Sequence, residues 1–270
     1  NAITVTLDNL ESGGDDTNHV IATTYTGVLT LNTTSITSLN VADNTDVTLT
    51  GGTGTSDTLN FHGGTITSAN MDDISAIENF VMTDDVSASL TLANAVLADG
   101  KSLVIDGRSS LTASNTFKVV GTAETDGSLT VHGATGVDTI TATLSDLGDT
   151  LNTYAGADVV QFQADHLTTL DTVDGGAGTD TVQIVTGAGT LADADFTNFS
   201  NVEALTFVTV ASTDTDLGAQ YVEAGFDTIT LAATVSNDLN LDSVTTAQTL
   251  NLVAATDTID ASAMTAALTV

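Results

Sequence analysis

Cysteine, proline and tryptophan are absent from the 270 residues, and only three basic side chains stand against 35 acidic ones. Without cysteine there is no disulfide, no thiolate metal site and no cysteine nucleophile. Without proline, and with glycine spread along the chain, no linker announces itself. Aromatic residues make up 4% of the chain and hydrophobic residues 41%. The core must therefore come from Val, Leu, Ile and Ala, which suits thin repetitive layers better than a globule filled by large rings. With Lys101, Arg108 and Lys118 as the only bases and a net charge of −32, nucleic acid is excluded as a partner, because phosphate contacts need Lys and Arg. The same balance disfavours an anionic membrane surface. No apolar run is long enough to span a bilayer, so no direct membrane insertion is expected. The chain carries no charged-then-apolar leader and stops in mid-pattern. It reads as a segment of something longer, with any secretion signal outside it.

What remains favours cations. Carboxylates at this density repel one another in a compact state unless ions screen them. The acid is mostly Asp; the only glutamates are Glu11, Glu78, Glu124, Glu203 and Glu223. Asp is preferred where a short side chain folds back on a turn or reaches a nearby ion.

The chain repeats a three-residue unit, apolar–x–apolar. It occurs as LTL (29–31), VTL (47–49), LNF (59–61), LTL (90–92), LVI (103–105), FKV (117–119) and LTV (129–131). It continues as VQF (160–162), VQI (182–184), LTF (205–207), ITL (229–231), LNL (239–241), LNL (250–252) and LTV (268–270). Alternation with period two puts both apolar side chains on one face, and Gly, Asp, Asn, Ser and Thr fill the gaps. A β-sandwich would use longer antiparallel strands. A parallel β-helix or β-roll takes two or three short strands per coil of roughly 18–30 residues. The expectation is an all-β parallel solenoid of short strands with a few short helices. It would form one elongated segment over 1–270, with a sub-boundary near 62–80. Short helical pieces are expected in 68–80, where Met71, Ile74, Ile77 and Phe80 are spaced by three, and in 216–226; 192–207 reads as a turn or single helical coil feeding a strand.

Residues 175–183, GGAGTDTVQ, match the nonapeptide G-G-x-G-x-D-x-U-x, with U a large apolar residue, a calcium-binding turn pattern. Glycines open backbone angles that let carbonyl oxygens converge, the Asp180 carboxylate adds charge, and calcium takes six to eight such oxygens. Degraded copies surround it. GATGVDTIT (133–141) keeps Asp138. GGTGTSDTLNF (51–61) keeps Gly52 and Gly54, with one extra residue before Asp57. AGADVVQF (155–162) keeps Asp158, and LDTVDGG (170–176) keeps Asp171 and Asp174.

With FSNVEALTF (199–207), the looser ISAIENFVM (74–82) and IDASAMTAALTV (259–270), these motifs resemble RTX-type bacterial surface-layer and adhesin proteins exported by type I secretion. The resemblance implies calcium as the ion that folds the roll after export, an extracellular place at the bacterial cell surface, and assembly with copies of itself. By position it makes Gly176, Gly178 and Asp180 ligands. The family's ladder of shared ions needs a motif on each adjacent coil, at twice the nonapeptide period. One nonapeptide, half a coil, is the step from Asp149 to Asp158 and from Asp171 to Asp180. A full coil either side of Asp180 stand Phe162 and Asn198, which are not acidic. The expectation is thus a set of isolated sites, with Asp158, Asp171 or Asp174 completing the shell at Asp180.

Other chemistries have less to stand on. His19, His62, His132 and His166 lack metal-ligand spacing. Lys101, Arg108 and Lys118 fall close enough in sequence to meet an anionic glycan, but scattered surface pairing is simpler. Carbohydrate cleavage needs clustered carboxylates with an aromatic platform, and there is no G-x-S-x-G elbow or phosphate loop. A threonine array for ice binding is suggested by TITATL (139–144), but outward Thr is ordinary in strands. The expected function is a non-enzymatic, calcium-stabilised, self-assembling surface-layer or filament component. The alternative is an adhesin module that binds a cell-surface glycan or protein.

Overall fold

The computed structural model describes residues 2–7, 18–21, 28–33, 47–50, 56–61, 63–71, 74–187, 189–208, 214–231, 238–252 and 257–270. The chain divides into two units, Asn1–Leu147 and Gly148–Val270, and both are all-β parallel solenoids built of short strands.

In the first unit one wall runs through Ala2–Leu7, Val28–Thr33, Thr58–Phe61, Asn79–Met82, Ser102–Asp106 and Ser128–His132, each strand parallel to the next. A second wall stacks Gly64–Ile66, Ala88–Thr91, Thr116–Val120 and Val137–Thr141. A third joins Asn18–Ile21, Val47–Thr50 and Ile74–Ser75. In the second unit the longest wall is Val159–Gln163, Thr181–Thr186, Ala204–Phe207, Thr228–Leu231, Gln248–Leu252 and Leu268–Thr269. Thr190–Leu191, Asp214–Asp216, Asp238–Asn240 and Thr258–Asp260 form another. Thr150–Asn152, Thr172–Asp174 and Phe199–Ser200 form a third. The coils differ in length: stacked partners are as near along the chain as Gln248↔Leu268 and as far apart as Asn18↔Val47.

The apolar–x–apolar units are the rungs. Val160 and Phe162 stack on Val182 and Ile184, then on Leu205 and Phe207, and Ile229 and Leu250 continue the column; all are buried. Each such side chain contributes on the order of 1.5–3 kcal/mol by leaving water. The polar middle residues face outward and pair along the wall: the Gln161 amide donates to Gln183 at 2.9 Å, and Asn251 donates to Thr230 at 3.2 Å.

The expected helical pieces are shorter than their spacing implied. Residues 68–80 give one turn, Ser68–Met71, before the strands Ile74–Ser75 and Asn79–Met82. Met71, Ile74, Ile77 and Phe80 are all buried, so their spacing by three reflects a coil corner rather than a helix face. The second helix is Ala219–Ala224, preceded by a single 3-10 turn at Asp193–Phe196. Asp193 reaches that helix from the preceding coil. Its Oδ1 accepts from the Gly218 and Tyr221 N–H groups at 2.8 and 2.9 Å, and its Oδ2 from Gln220 at 3.1 Å. These are the donors a short helix leaves open at its start.

Four of the scarce aromatic residues gather around the same corner. Phe196 meets Phe199, Tyr221 and Phe226 edge-on, with ring centroids 5.5, 6.0 and 5.6 Å away. Tyr221 stacks on Phe226 at 4.7 Å, and its hydroxyl donates to Gln248 Oε1 at 3.0 Å. Burial pushes the Tyr221 hydroxyl far above its ordinary pKa, so that donor stays protonated.

Candidate functional site

The glycine turn at 174–180 sits between the strands Thr172–Asp174 and Thr181–Thr186, and Ala177–Gly178 pairs with Ala155–Gly156 one coil back. Neighbouring backbone comes so close that side chains are excluded. Gly176 takes φ +82°, and a Cβ there would overlap the Tyr154 carbonyl; one on Gly178 would overlap the carbonyl of Gly156. The backbone of Ala177 donates to Tyr154 at 2.6 Å. The Asp174 Oδ1 accepts from the Gly176 N–H at 3.2 Å and from the Asn201 amide at 2.7 Å.

Asp180 folds back beneath this turn and is 2% exposed. Its Oδ1 accepts the Asp158 N–H at 2.8 Å. Its own N–H donates to Glu203 Oε2 at 2.7 Å, and its carbonyl accepts from Glu203 and Ala204 at 3.1 and 3.0 Å. Three acidic residues on three successive coils are thus tied head to tail. Asp158 and Asp180 stand 22 positions apart and Asp180 and Glu203 stand 23 apart, as the strand register requires. The shorter coil and half-coil expected from an ideal roll are corrected by this register: the coil here is longer, and stacked positions move with it. Asp149 and Asp171, also 22 apart, are clasped likewise, with the Asp149 N–H donating to Asp171 Oδ1 at 2.8 Å.

The first unit repeats the arrangement. Glu78 Oε2 accepts the Asp57 N–H at 2.9 Å, and the Asp57 carbonyl accepts from Glu78 and Asn79 at 3.1 and 3.0 Å. Ala76 and Asn201, two residues before each glutamate, both take φ +53°. Ile77 and Val202 are buried between them. NVEAL and AIENF are therefore one device: a left-handed residue, a core residue, then a glutamate that caps the coil before it. The sequence flagged both segments but not their work, because the residue each glutamate caps lies a whole coil away.

The ten residues expected to bind metal separate into groups. Asp158, Asp174 and Asp180 come together at the glycine turn, with Gly176 and Gly178 in its backbone. Asp171 belongs elsewhere: its Oδ2 accepts from the Thr168 N–H at 2.8 Å. Asp138, in the first unit, caps its own turn through the Ala134 N–H at 2.7 Å. Asp57 is buried in the clasp with Glu78. Gly52 and Gly54 lie outside the described residues. Among the described residues, no group of three or more His, Cys, Asp or Glu side chains is arranged to hold a metal ion.

The electrostatics at Asp180 nevertheless suit a cation. Its Oδ2 is buried without a hydrogen-bond partner and lies 2.9 Å from where a Gly175 Cβ would stand. Burial pushes the Asp180 carboxyl up to about 6, and the charges of Asp158, Glu203 and Asp174 add to the push against the hydrogen bond from Asp158. All three Lys and Arg residues precede Gly148, so no Lys or Arg in this unit can neutralise it. The fit to calcium rests on this one oxygen and this field.

A carboxyl raised in the folded state destabilises the fold wherever it is charged. The cost is fully present above about pH 6 and is relieved as pH falls toward the unfolded value near 4. Asp180→Asn keeps the acceptor and removes the charge. In chelator at pH 7.5 it is expected to stabilise the protein by about 1–2 kcal/mol, with solvent screening trimming the larger value. Thermal melts across pH 4.5–8 check this: the gain should shrink below pH 6, and a gain independent of pH would refute the assignment.

No helix of the described residues is long and apolar enough to cross a membrane. No family model matches the chain, and neither a curated protein nor a solved structure matches it.

Proposed function

We propose that the chain is a structural component of a bacterial extracellular surface layer or filament, stabilised by calcium and self-assembling, with no catalytic role. The repetitive parallel solenoid is consistent with a structural repeat module. The observation that carries the calcium reading is the buried, unpartnered Asp180 Oδ2 set among Asp158, Asp174 and Glu203. Calcium bound there would be held by Asp180 and the turn containing Gly176 and Gly178, where it would supply positive charge that offsets carboxylate repulsion. Parallel coils present unpaired strand edges, which are natural surfaces for joining copies.

Calcium titrated into chelator-treated protein, followed by circular dichroism and light scattering, tests the reading. The expected result is a rise of several degrees in melting temperature and growth of ordered sheets or fibres, with sodium chloride at equal ionic strength giving much less. Stability and particle size that ignore both calcium and chelator would overturn it. A calcium-stabilised chain that stays monomeric would favour the adhesin alternative, a module binding a cell-surface glycan or protein.

A further inference from the structure

A second pair of carboxylates lies in the first unit, away from any glycine motif. The turn 121–127, GTAETDG, connects Thr116–Val120 to Ser128–His132. Glu124 within it is 0% exposed. Its N–H donates to the Gly121 carbonyl at 2.9 Å, and its carbonyl accepts from Leu144 at 2.8 Å. Its Oε1 accepts from the Asp126 and Gly127 N–H groups at 3.1 and 2.9 Å. Only Oε2 is left over, and it is buried with no hydrogen-bond partner; Asp126 Oδ1 is in the same condition. The two carboxyl groups sit two residues apart in one turn, and the charge of Asp126 acts on Glu124. Two carboxylate oxygens cannot bond to each other, since both only accept. Something positive belongs between them.

The described residues do not supply it. The Lys101 ammonium acts on Glu78, Arg108 is bound to Asp106 at 2.6 Å, and Lys118 is exposed on its strand. The segments packed against the turn offer Asn94, whose Oδ1 accepts from the Thr125 N–H at 3.1 Å, and Gly100, whose N–H donates to the Asp126 carbonyl at 2.8 Å. Their charged residues are Asp99, Lys101 and, beyond Leu144, Asp146. Burial raises the Glu124 carboxyl, and the neighbouring Asp126 raises it further. A buried pair of like charges is costly unless compensated.

We propose that Glu124 and Asp126 form a site for a hard divalent cation, calcium or magnesium, bound through Glu124 Oε2 and Asp126 Oδ1. Two carboxylates with water in the remaining positions is a donor set such ions accept. Asp126 is only partly buried, which leaves a path for that water.

Isothermal titration of chelator-treated full chain with calcium chloride, and separately with magnesium chloride, tests the site on four proteins: wild type, Glu124→Gln, Asp126→Asn and Asp180→Asn. Glu124→Gln should keep the turn, because its amide oxygen can accept from Asp126 and Gly127 while its amide nitrogen donates to Asp126. The expected result is one bound equivalent fewer in Glu124→Gln and in Asp126→Asn. Whether calcium, magnesium or both fill it is read from the two titrations. In wild type, hydrogen exchange across 121–127 should slow at least several-fold on ion addition, and in Glu124→Gln it should not change. Wild-type exchange at 121–127 indifferent to both ions overturns the proposal and leaves a shared proton as the bridge, whatever the variants do. The loss in Asp180→Asn reads the glycine-turn site alone, so the two sites fail separately.

Discussion

Replacing Phe196 with alanine is expected to destabilise the second unit by about 3–5 kcal/mol and to lower the thermal midpoint by roughly 10 °C. Phe196 is wholly buried and meets three of the unit's aromatic rings at once. Elsewhere a coil is filled mostly by aliphatic side chains, with a phenylalanine such as Phe162 or Phe207 stacked on Ile184, and a neighbour can lean into a small loss. At Phe196 the rings lean on one another, and the helix that carries Tyr221 is tethered through Asp193 in the same 3-10 turn. Removing the central ring leaves a cavity whose walls cannot collapse without releasing the helix. Near-ultraviolet circular dichroism and melting temperature should both change. A midpoint drop of less than about a third of that size would mean that the corner repacks and is not the anchor described.

Gly176→Val is expected to cost about 3 kcal/mol or more, the sum of two effects. The residue would sit at positive φ, a strain of order 1–3 kcal/mol for a β-branched side chain, and its Cβ would overlap the Tyr154 carbonyl. The backbone must then withdraw, and the bond from Ala177 to Tyr154 goes with it. Gly189→Val is the matched control in the same unit. A Cβ there meets nothing nearer than the Ala164 carbonyl at 3.8 Å, so its effect should stay within about 0.5 kcal/mol. Urea midpoints for the two variants separate a demanded glycine from an incidental one. If both variants behave alike, the close approach of the two coils at this turn is wrong. Gly176→Val should also blunt any calcium response, because the turn above Asp180 would be displaced.

The strands were readable because each needs only two apolar side chains two residues apart. LNF (59–61), LVI (103–105), VQF (160–162) and VQI (182–184) all lie on wall strands. Coil length was harder to read. Corners absorb extra residues without disturbing the walls, so a spacing taken from an ideal roll missed Glu203 as a partner of Asp180 and left Asp158 as one of three candidates beside it. Asp-rich turns pointed correctly to carboxylates working on turns, but not to their targets. Asp85, for example, accepts from the N–H groups of Leu111 and Thr112, both at 2.8 Å. The distance along the chain is set by register, which no local motif encodes. The Glu124–Asp126 pair was invisible for a further reason. Glutamate two residues from aspartate is ordinary in a solvated turn, and only the fold shows that both inner oxygens are buried.

Coils of unequal length stacked in parallel register separate rung from corner in evolutionary terms. Insertions and deletions at corners cost little, because loop closure grows only slowly with length, while a one-residue slip inside a rung turns every side chain to the wrong face. Variation in such a protein should therefore accumulate as corners of changing length around rungs of fixed size. A corner is also where a foreign peptide could be grafted: the wall would hold its phase, and each copy in an assembly would display the insert at the same height.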